Sequence, residues 1–209
     1  MPALSLFPTR VWTANLAGTR GGELNTRLLR ECRLLQQEDL AGRRWSRRNY
    51  PGGYTSYASA HRMHRLSPTF ARLERWIDSQ VRRFAQELQF ELGGQRLAMT
   101  DCWVNVMPRG VSHGLHLHPL SVVSGTYYVS VPQGSPGLKF EDPRLDRYMG
   151  APPRSEPAAV RNRIWVTLPA ASGGLLLFES WLRHEVPANP VRAQRISISF
   201  NYGWGSTKG

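Results

Sequence analysis

The feature that most restricts this fold is a change of hydrophobic period near residue 96. Before it, apolar residues recur every three or four positions, the spacing of one helix face. Leu24, Leu28, Cys32 and Leu35 mark such a stripe on a helix over 25–37. A second helix is predicted after Ser67, which can cap it, with Pro68 in the first turn, where a missing N–H costs nothing. Phe70, Leu73, Ile77, Val81, Phe84 and Leu88 form its apolar face, Arg72, Arg75, Arg82 and Glu87 its polar one, and Gly93-Gly94 its stop. The Gly-, Tyr- and Arg-rich segment 45–57 between the helices reads as a loop.

Beyond residue 96 the period is two. Cys102, Val104 and Val106 alternate with Trp103, Asn105 and Met107, and segment 195–202 alternates in the same way. Segments 121–131, 164–168 and 175–178 are rich in β-branched, tyrosine or other apolar residues. Turn clusters at Pro108-Arg109-Gly110, Pro132-Gln133-Gly134, Ser172-Gly173-Gly174 and Pro187 to Pro190 separate these runs. Short strands with regular turn signals predict an antiparallel sandwich or barrel. The expected architecture is therefore mainly β with N-terminal helices. It forms one domain over 1–209, in which a helical portion, 1–95, packs on a β core over 97–205. Asp142 to Glu156, with three prolines, reads as a surface loop over one end.

Composition narrows the class. A chain of 209 residues, 41% apolar and 10% aromatic, can bury a substantial core and is not disordered throughout. No apolar run reaches 18 residues, so no membrane span is expected. The start lacks the pattern of a secretory signal, and two cysteines are too few for a disulfide framework. A cytoplasmic location is the expectation. The formal net charge is +12, and all but two of the 27 cations are arginine. That balance admits a polyanion partner such as nucleic acid. Because Arg43-Arg44, Arg47-Arg48 and Arg82-Arg83 are short and carry no nucleic-acid motif, ordinary surface cations are the preferred reading. A homodimer through the amino-terminal helices is compatible with the sequence.

The chemistry concentrates in three histidines: His116 and His118, two apart, and His184 in a later strand. Side chains two apart on a strand point to one side, so the first two can approach one ion together, and His184 can join them. Imidazole suits iron, zinc, copper or nickel. His61 and His64 read as surface residues, and His113, on the opposite face from His116, as a rim residue. Segment 195–201 places Ile196, Ile198 and Phe200 on one face and Arg195, Ser197, Ser199 and Asn201 on the other. Ser124, Thr126, Tyr128 and Ser130 make a similar polar row. Such faces meet either solvent or a polar cavity. A buried arginine needs an anion, and its planar fork matches a carboxylate.

This order of motifs resembles the iron(II)/2-oxoglutarate dioxygenases. The residues that carry the resemblance are His116-x-His118, Ser124-Gly125-Thr126-Tyr127-Tyr128, Gly174-Leu175-Leu176-Leu177-Phe178, His184-Glu185-Val186 and, eleven residues on, Arg195. Trp103-Val104-Asn105, His118-Pro119, Asp142-Pro143-Arg144 and the strand from Arg195 narrow it to the bacterial and phage 2OG-Fe(II) oxygenases, which are prolyl-hydroxylase-like. The tight resemblance spans 100–204. It implies a double-stranded β-helix (jelly roll) core flanked by helices. It also implies Fe(II), with 2-oxoglutarate and O2 as cosubstrates, and conversion of 2-oxoglutarate to succinate as an unidentified substrate is hydroxylated.

The resemblance further assigns His116, His118 and His184 to the metal, with His118 standing where the family has an aspartate. Arg195 pairs the far carboxylate of 2-oxoglutarate, Tyr128 lies beside it, and Asn105 and Ser197 form polar walls. Asp101, Asp142, Glu179 and Glu185 are alternative carboxylate donors. Trp45, Tyr50, Tyr54 and Tyr57, beside paired arginines, suit stacking on bases or gripping a peptide, and covering the core as packing and lid is the preferred reading. Two competing functions are a three-histidine, cupin-like metalloprotein that does not use 2-oxoglutarate, and a non-enzymatic polyanion-binding module.

Overall fold

The computed structural model describes residues 3–16 and 18–205. In chain order the elements are β1 (Val11–Asn15), α1 (Thr19–Glu38), α2 (Leu40–Asn49), β2 (Tyr54–Thr55), α3 (Met63–Leu66), α4 (Pro68–Glu87), β3 (Arg96–Met107), β4 (His113–His116), β5 (Val123–Ser130), β6 (Leu138–Glu141), β7 (Trp165–Leu168), β8 (Gly174–Glu179), β9 (His184–Val186) and β10 (Arg195–Gly205). Every strand pairing is antiparallel. A larger sheet runs in the order β1-β8-β5-β10-β3-β2 and a smaller one in the order β4-β9-β6-β7. This is a double-stranded β-helix, with helices on one side.

The two-residue alternation explains the layering. On β10, Ile196, Ile198, Phe200 and Tyr202 join Val104, Val106, Tyr127, Val129 and Leu177 in one apolar cluster with Leu28, Phe70, Ile77 and Phe84 of α1 and α4. The outer face of the larger sheet is therefore covered by helix. Met107, Tyr128, Leu138, Phe140, Leu176 and Phe178 form a second cluster inside the sandwich. Gly125 marks a close approach: a Cβ there would stand 2.6 Å from the ring of Phe200, so only hydrogen leaves room for that ring beneath β5.

Polar ties fix the helices to the sheet. Asn25 donates to Val129 O at 3.0 Å and accepts from the Tyr127 hydroxyl at 2.9 Å, while the Tyr202 hydroxyl donates to Asp78 at 2.6 Å. Ser67 caps α4 by accepting from the N–H groups of Thr69 and Phe70, and donates to Glu31 of α1 at 2.5 Å. Among the described residues no helix is long and apolar enough to cross a membrane. Cys32 and Cys102 are buried free thiols.

Several local expectations are corrected. The presumed loop 45–57 contains the second half of α2 and all of β2. Helix α2 carries four arginines and almost no apolar stripe, so periodicity misses it; capping and a buried polar tie hold it instead. Asp39 accepts from Gly42 N–H at 2.9 Å, and buried Ser46 accepts from Thr55 N–H at 3.0 Å. The amino-terminal portion also contributes strand β1, which pairs with β8. Helix α4 ends at Glu87, before Gly93-Gly94, where Gln89 turns to a φ of 54°. His64, read as a surface residue, is buried on α3. The loop after Asp142 is braced: Arg144 holds the Asp142 carboxylate through Nε at 2.9 Å and through its terminal nitrogen at 2.8 Å, and the Tyr148 hydroxyl adds a third bond. Burial would raise that carboxyl, but these donors win and bring it down to about 2.

Two stability outcomes follow. Ser67→Ala removes a cap and the link to Glu31, and should lower unfolding free energy by about 1–2 kcal/mol in urea titration. Burial, reinforced by nearby Arg65 and Arg62, pushes His64 down to about 4. An imidazole depressed in the folded state protonates first in the unfolded chain. Its stabilisation is therefore intact above about 6.5 and is lost as pH falls toward 4. Relative to His64→Gln, the wild type should lose up to about 3 kcal/mol more between pH 7 and pH 4, read from denaturation curves at both values.

Candidate metal centre and its cavity

Strands β4 and β9 pair so that His116 lies directly opposite His184. The two imidazole centroids are 4.4 Å apart. His118 follows the end of β4, and its backbone N–H donates to Ser180 O at 3.0 Å. This contact carries its ring to 5.2 Å from His116 and 5.3 Å from His184. One donor atom from each of the three lies within 4.8 Å of the others. No carboxylate shares the cluster among the described residues.

Hydrogen bonds set the tautomers. His116 Nδ1 faces Gly114 O at 2.7 Å and His184 Nδ1 faces Leu182 O at 2.9 Å. A carbonyl accepts only from N–H, so Nδ1 holds the proton and Nε2 keeps its lone pair for an ion. Burial, then the neighbouring His116, lowers His184 to about 3; burial, with His116 and His113, lowers His118 to about 4. Both are neutral donors at pH 7. Phe178 and Phe140 pack on the His184 ring at 4.6 and 6.0 Å, giving it apolar surroundings.

These rings line a cavity of about 360 Å³ that also reaches Arg195, Ser197, Ser199 and Asn201 of β10. The polar rows of β10 and β5 thus face the interior and not bulk water. Arg195 is 2% exposed. Its Nε donates to Pro136 O at 3.0 Å, and Nη1 contacts Ser197 Oγ and Met107 Sδ, each at 3.3 Å. The guanidinium lies over the Tyr128 ring, 5.0 Å from its centroid. Among the described residues no carboxylate is within ion-pair distance of it. Burial lowers its pKa while Tyr128 and Tyr50 oppose the shift, and a guanidinium stays charged throughout. Asn105 donates to Ser199 at 3.0 Å, yet its Oδ1, the Tyr128 and Tyr50 hydroxyls and His113 Nε2 are enclosed without a hydrogen-bond partner.

Two further sequence readings change. His113 is not a rim residue on the far side of His116. A register irregularity between the two brings both toward the cavity, with ring centroids 6.3 Å apart. The alternative carboxylates do not join the donor set: Glu185 pairs with Lys139, Asp142 with Arg144, and Asp101 accepts from Thr100, while Glu179 lies outside the cluster. Trp45, Tyr50 and Tyr57, expected chiefly as packing and lid, line the cavity together with Asn49 from α2 and the following segment. Tyr54, grouped with them, instead donates to Asp39.

Residues 101–201 match the family described as "Putative 2OG-Fe(II) oxygenase". The segment 101–201 belongs to this family. As a 2OG-Fe(II) oxygenase it is an oxidoreductase that uses iron, 2-oxoglutarate and O2. No curated protein sequence matches it. Among solved structures, it is similar to a prolyl-4-hydroxylase from Pseudomonas putida at 17% identity and a TM-score of 0.61, covering 95% of this chain and 94% of the other. A Trichoplax adhaerens prolyl hydroxylase in complex with a hypoxia inducible factor peptide fragment is 21% identical, with a TM-score of 0.60 and coverage of 92% and 83%. HygX from Streptomyces hygroscopicus, with nickel and 2-oxoglutarate bound, is 14% identical, with a TM-score of 0.59 and coverage of 93% and 82%. These likenesses show the shared fold.

The residues of this oxygenase fit its groups. Imidazole nitrogens with free lone pairs suit iron(II), and a buried guanidinium without an acid suits a diacid. The unpaired guanidinium also costs stability. Arg195→Met should therefore raise the unfolding free energy by about 1 kcal/mol or more, measured by denaturant titration of the metal-free protein.

Proposed function

We propose that His116, His118 and His184 hold the iron of this oxygenase, and that Arg195 receives the distal carboxylate of 2-oxoglutarate during hydroxylation of a second substrate. One observation carries this reading: three clustered imidazoles and an acid-free buried guanidinium open into a single cavity. Iron, when bound there, supplies the redox chemistry by which O2 converts 2-oxoglutarate to succinate and CO2 and oxidises the substrate.

The chain's own residues bind, orient and exclude water. Neutral imidazoles bring no negative charge, so a dianion offsets both the dipositive ion and Arg195. The Tyr128 ring supports the face of the guanidinium, while Pro136 O and Ser197 fix its plane. Asn105 and Ser197 supply polar wall beside the diacid. Trp103, Tyr57 and Trp45 line the same cavity, where flat rings limit water and give a substrate surface to pack on. Tyr57 and Trp103 meet edge to face at 5.1 Å.

A second reading, a three-histidine metalloprotein indifferent to 2-oxoglutarate, is favoured by the absence, among the described residues, of a carboxylate in the donor cluster. Anaerobic calorimetry of the iron(II)-loaded protein separates the two. The oxygenase reading expects saturable 2-oxoglutarate binding and O2-dependent succinate formation; iron bound with neither response would favour the alternative. Arg195→Ala should weaken 2-oxoglutarate about 10–100-fold with iron content unchanged, whereas His184→Ala should abolish stoichiometric iron.

A further inference from the structure

Beyond the metal donors and Arg195, an enclosed polar group in the cavity that has no assigned role is the phenol of Tyr50. Its residue is 6% exposed, lines the cavity, and has a hydroxyl without any partner. Tyr50 closes α2: its N–H donates to Ser46 O at 2.8 Å, and its carbonyl accepts from Gly53 N–H at 3.0 Å. The turn that follows brings Gly53 under the ring. A Cβ at Gly53 would stand 2.3 Å from Tyr50 Cε1, so glycine is required for the ring to lie there. His113 covers the ring as well, with centroids 4.3 Å apart, and its own Nε2 is enclosed and unpartnered. The phenol is thus clamped in place, with its hydrogen-bonding end unsatisfied.

Location indicates what it is for. Tyr50 packs in the inter-sheet cluster with Met107 and Tyr128, two of the side chains that touch the Arg195 guanidinium. Arg195 has already committed Nε to Pro136 O and Nη1 to Ser197 and Met107. A carboxylate offers about four lone-pair sites, more than the remaining guanidinium donors fill. A buried carboxylate at this end therefore needs hydroxyl donors from elsewhere, and burial keeps the Tyr50 phenol protonated as one.

We propose that Tyr50, positioned by Gly53 and His113, is a second anchor for the distal carboxylate of 2-oxoglutarate, donating its O–H from the end of α2 to the anion that Arg195 meets from β10. This rests on the oxygenase reading above. It makes α2 part of the cosubstrate site, although α2 lies outside the segment 101–201 that matches the family. The same helix supplies Trp45 and Asn49 to the cavity wall, so the diacid and the outer wall share one rigid support.

The test is anaerobic calorimetry on the full iron(II)-loaded chain, with 2-oxoglutarate and with 2-oxopentanoate, which has the same length but no distal carboxylate. Tyr50→Phe should raise the Kd for 2-oxoglutarate about tenfold and leave that for 2-oxopentanoate within about twofold, because one charge-assisted hydrogen bond is lost. Gly53→Ala displaces the ring by a separate route and should give the same selective loss. Thermal melts and iron content of each variant check folding. Equal weakening of both ligands would assign Tyr50 a merely structural role and overturn the inference. Unchanged 2-oxoglutarate binding in Tyr50→Phe, with loss in Arg195→Ala, would also overturn it while leaving the oxygenase reading standing. A wild type that binds neither acid would overturn both.

Discussion

The structure depends on one strand having two different faces. Strand β10 runs between β3 and β5, so its backbone is hydrogen-bonded on both edges and its side chains have nowhere to go but up or down. Ile196, Ile198 and Phe200 go toward α1 and α4; Arg195, Ser197, Ser199 and Asn201 go into the sandwich. A slip of one residue would exchange the sets, placing the guanidinium among helix side chains and isoleucine in the polar cavity. Apolar burial against the helices thus fixes the register that aims Arg195 inward.

The cavity then balances opposed costs. Phe140 and Phe178 wrap His184 in apolar surface, which penalises the imidazolium form and keeps its nitrogen available at neutral pH. The same low polarity makes an unaccompanied guanidinium expensive. Several enclosed polar atoms without partners lie in and beside this cavity, whereas the ties between helices and sheet are satisfied pair by pair. Four of these unpartnered atoms belong to Tyr50, Asn105, His113 and Tyr128, around the buried guanidinium and the imidazoles, which is where the proposed diacid would supply partners.

The division of labour follows chain position. The three imidazoles and Arg195 all come from the segment that matches the oxygenase family, and the antiparallel β4–β9 pair brings His116 and His184 together. Residues 40–57 add a wall of their own, through α2 and the turn before β2. That wall is held by side-chain hydrogen bonds such as Ser46 with Thr55 and Tyr54 with Asp39, not by a deep apolar stripe. It is the part of the cavity least dictated by the jelly-roll scaffold.

By itself the sequence determined the β core after residue 96, the two long amphipathic helices, the Ser67 cap and the His-x-His, His184 and Arg195 candidates. Each is written as local period or local chemistry. It did not reveal α2 or β1: arginines hide the first because its stability comes from caps and contacts, and the second is a five-residue strand stabilised by its pairing with β8. Nor did it place His113 and His64, since an irregular register turned one toward the cavity and tertiary packing buried the other. Whether the polar face of β10 meets water or a cavity was undecidable from alternation, which is identical in both cases. Only the second sheet, folding across that face, decided it.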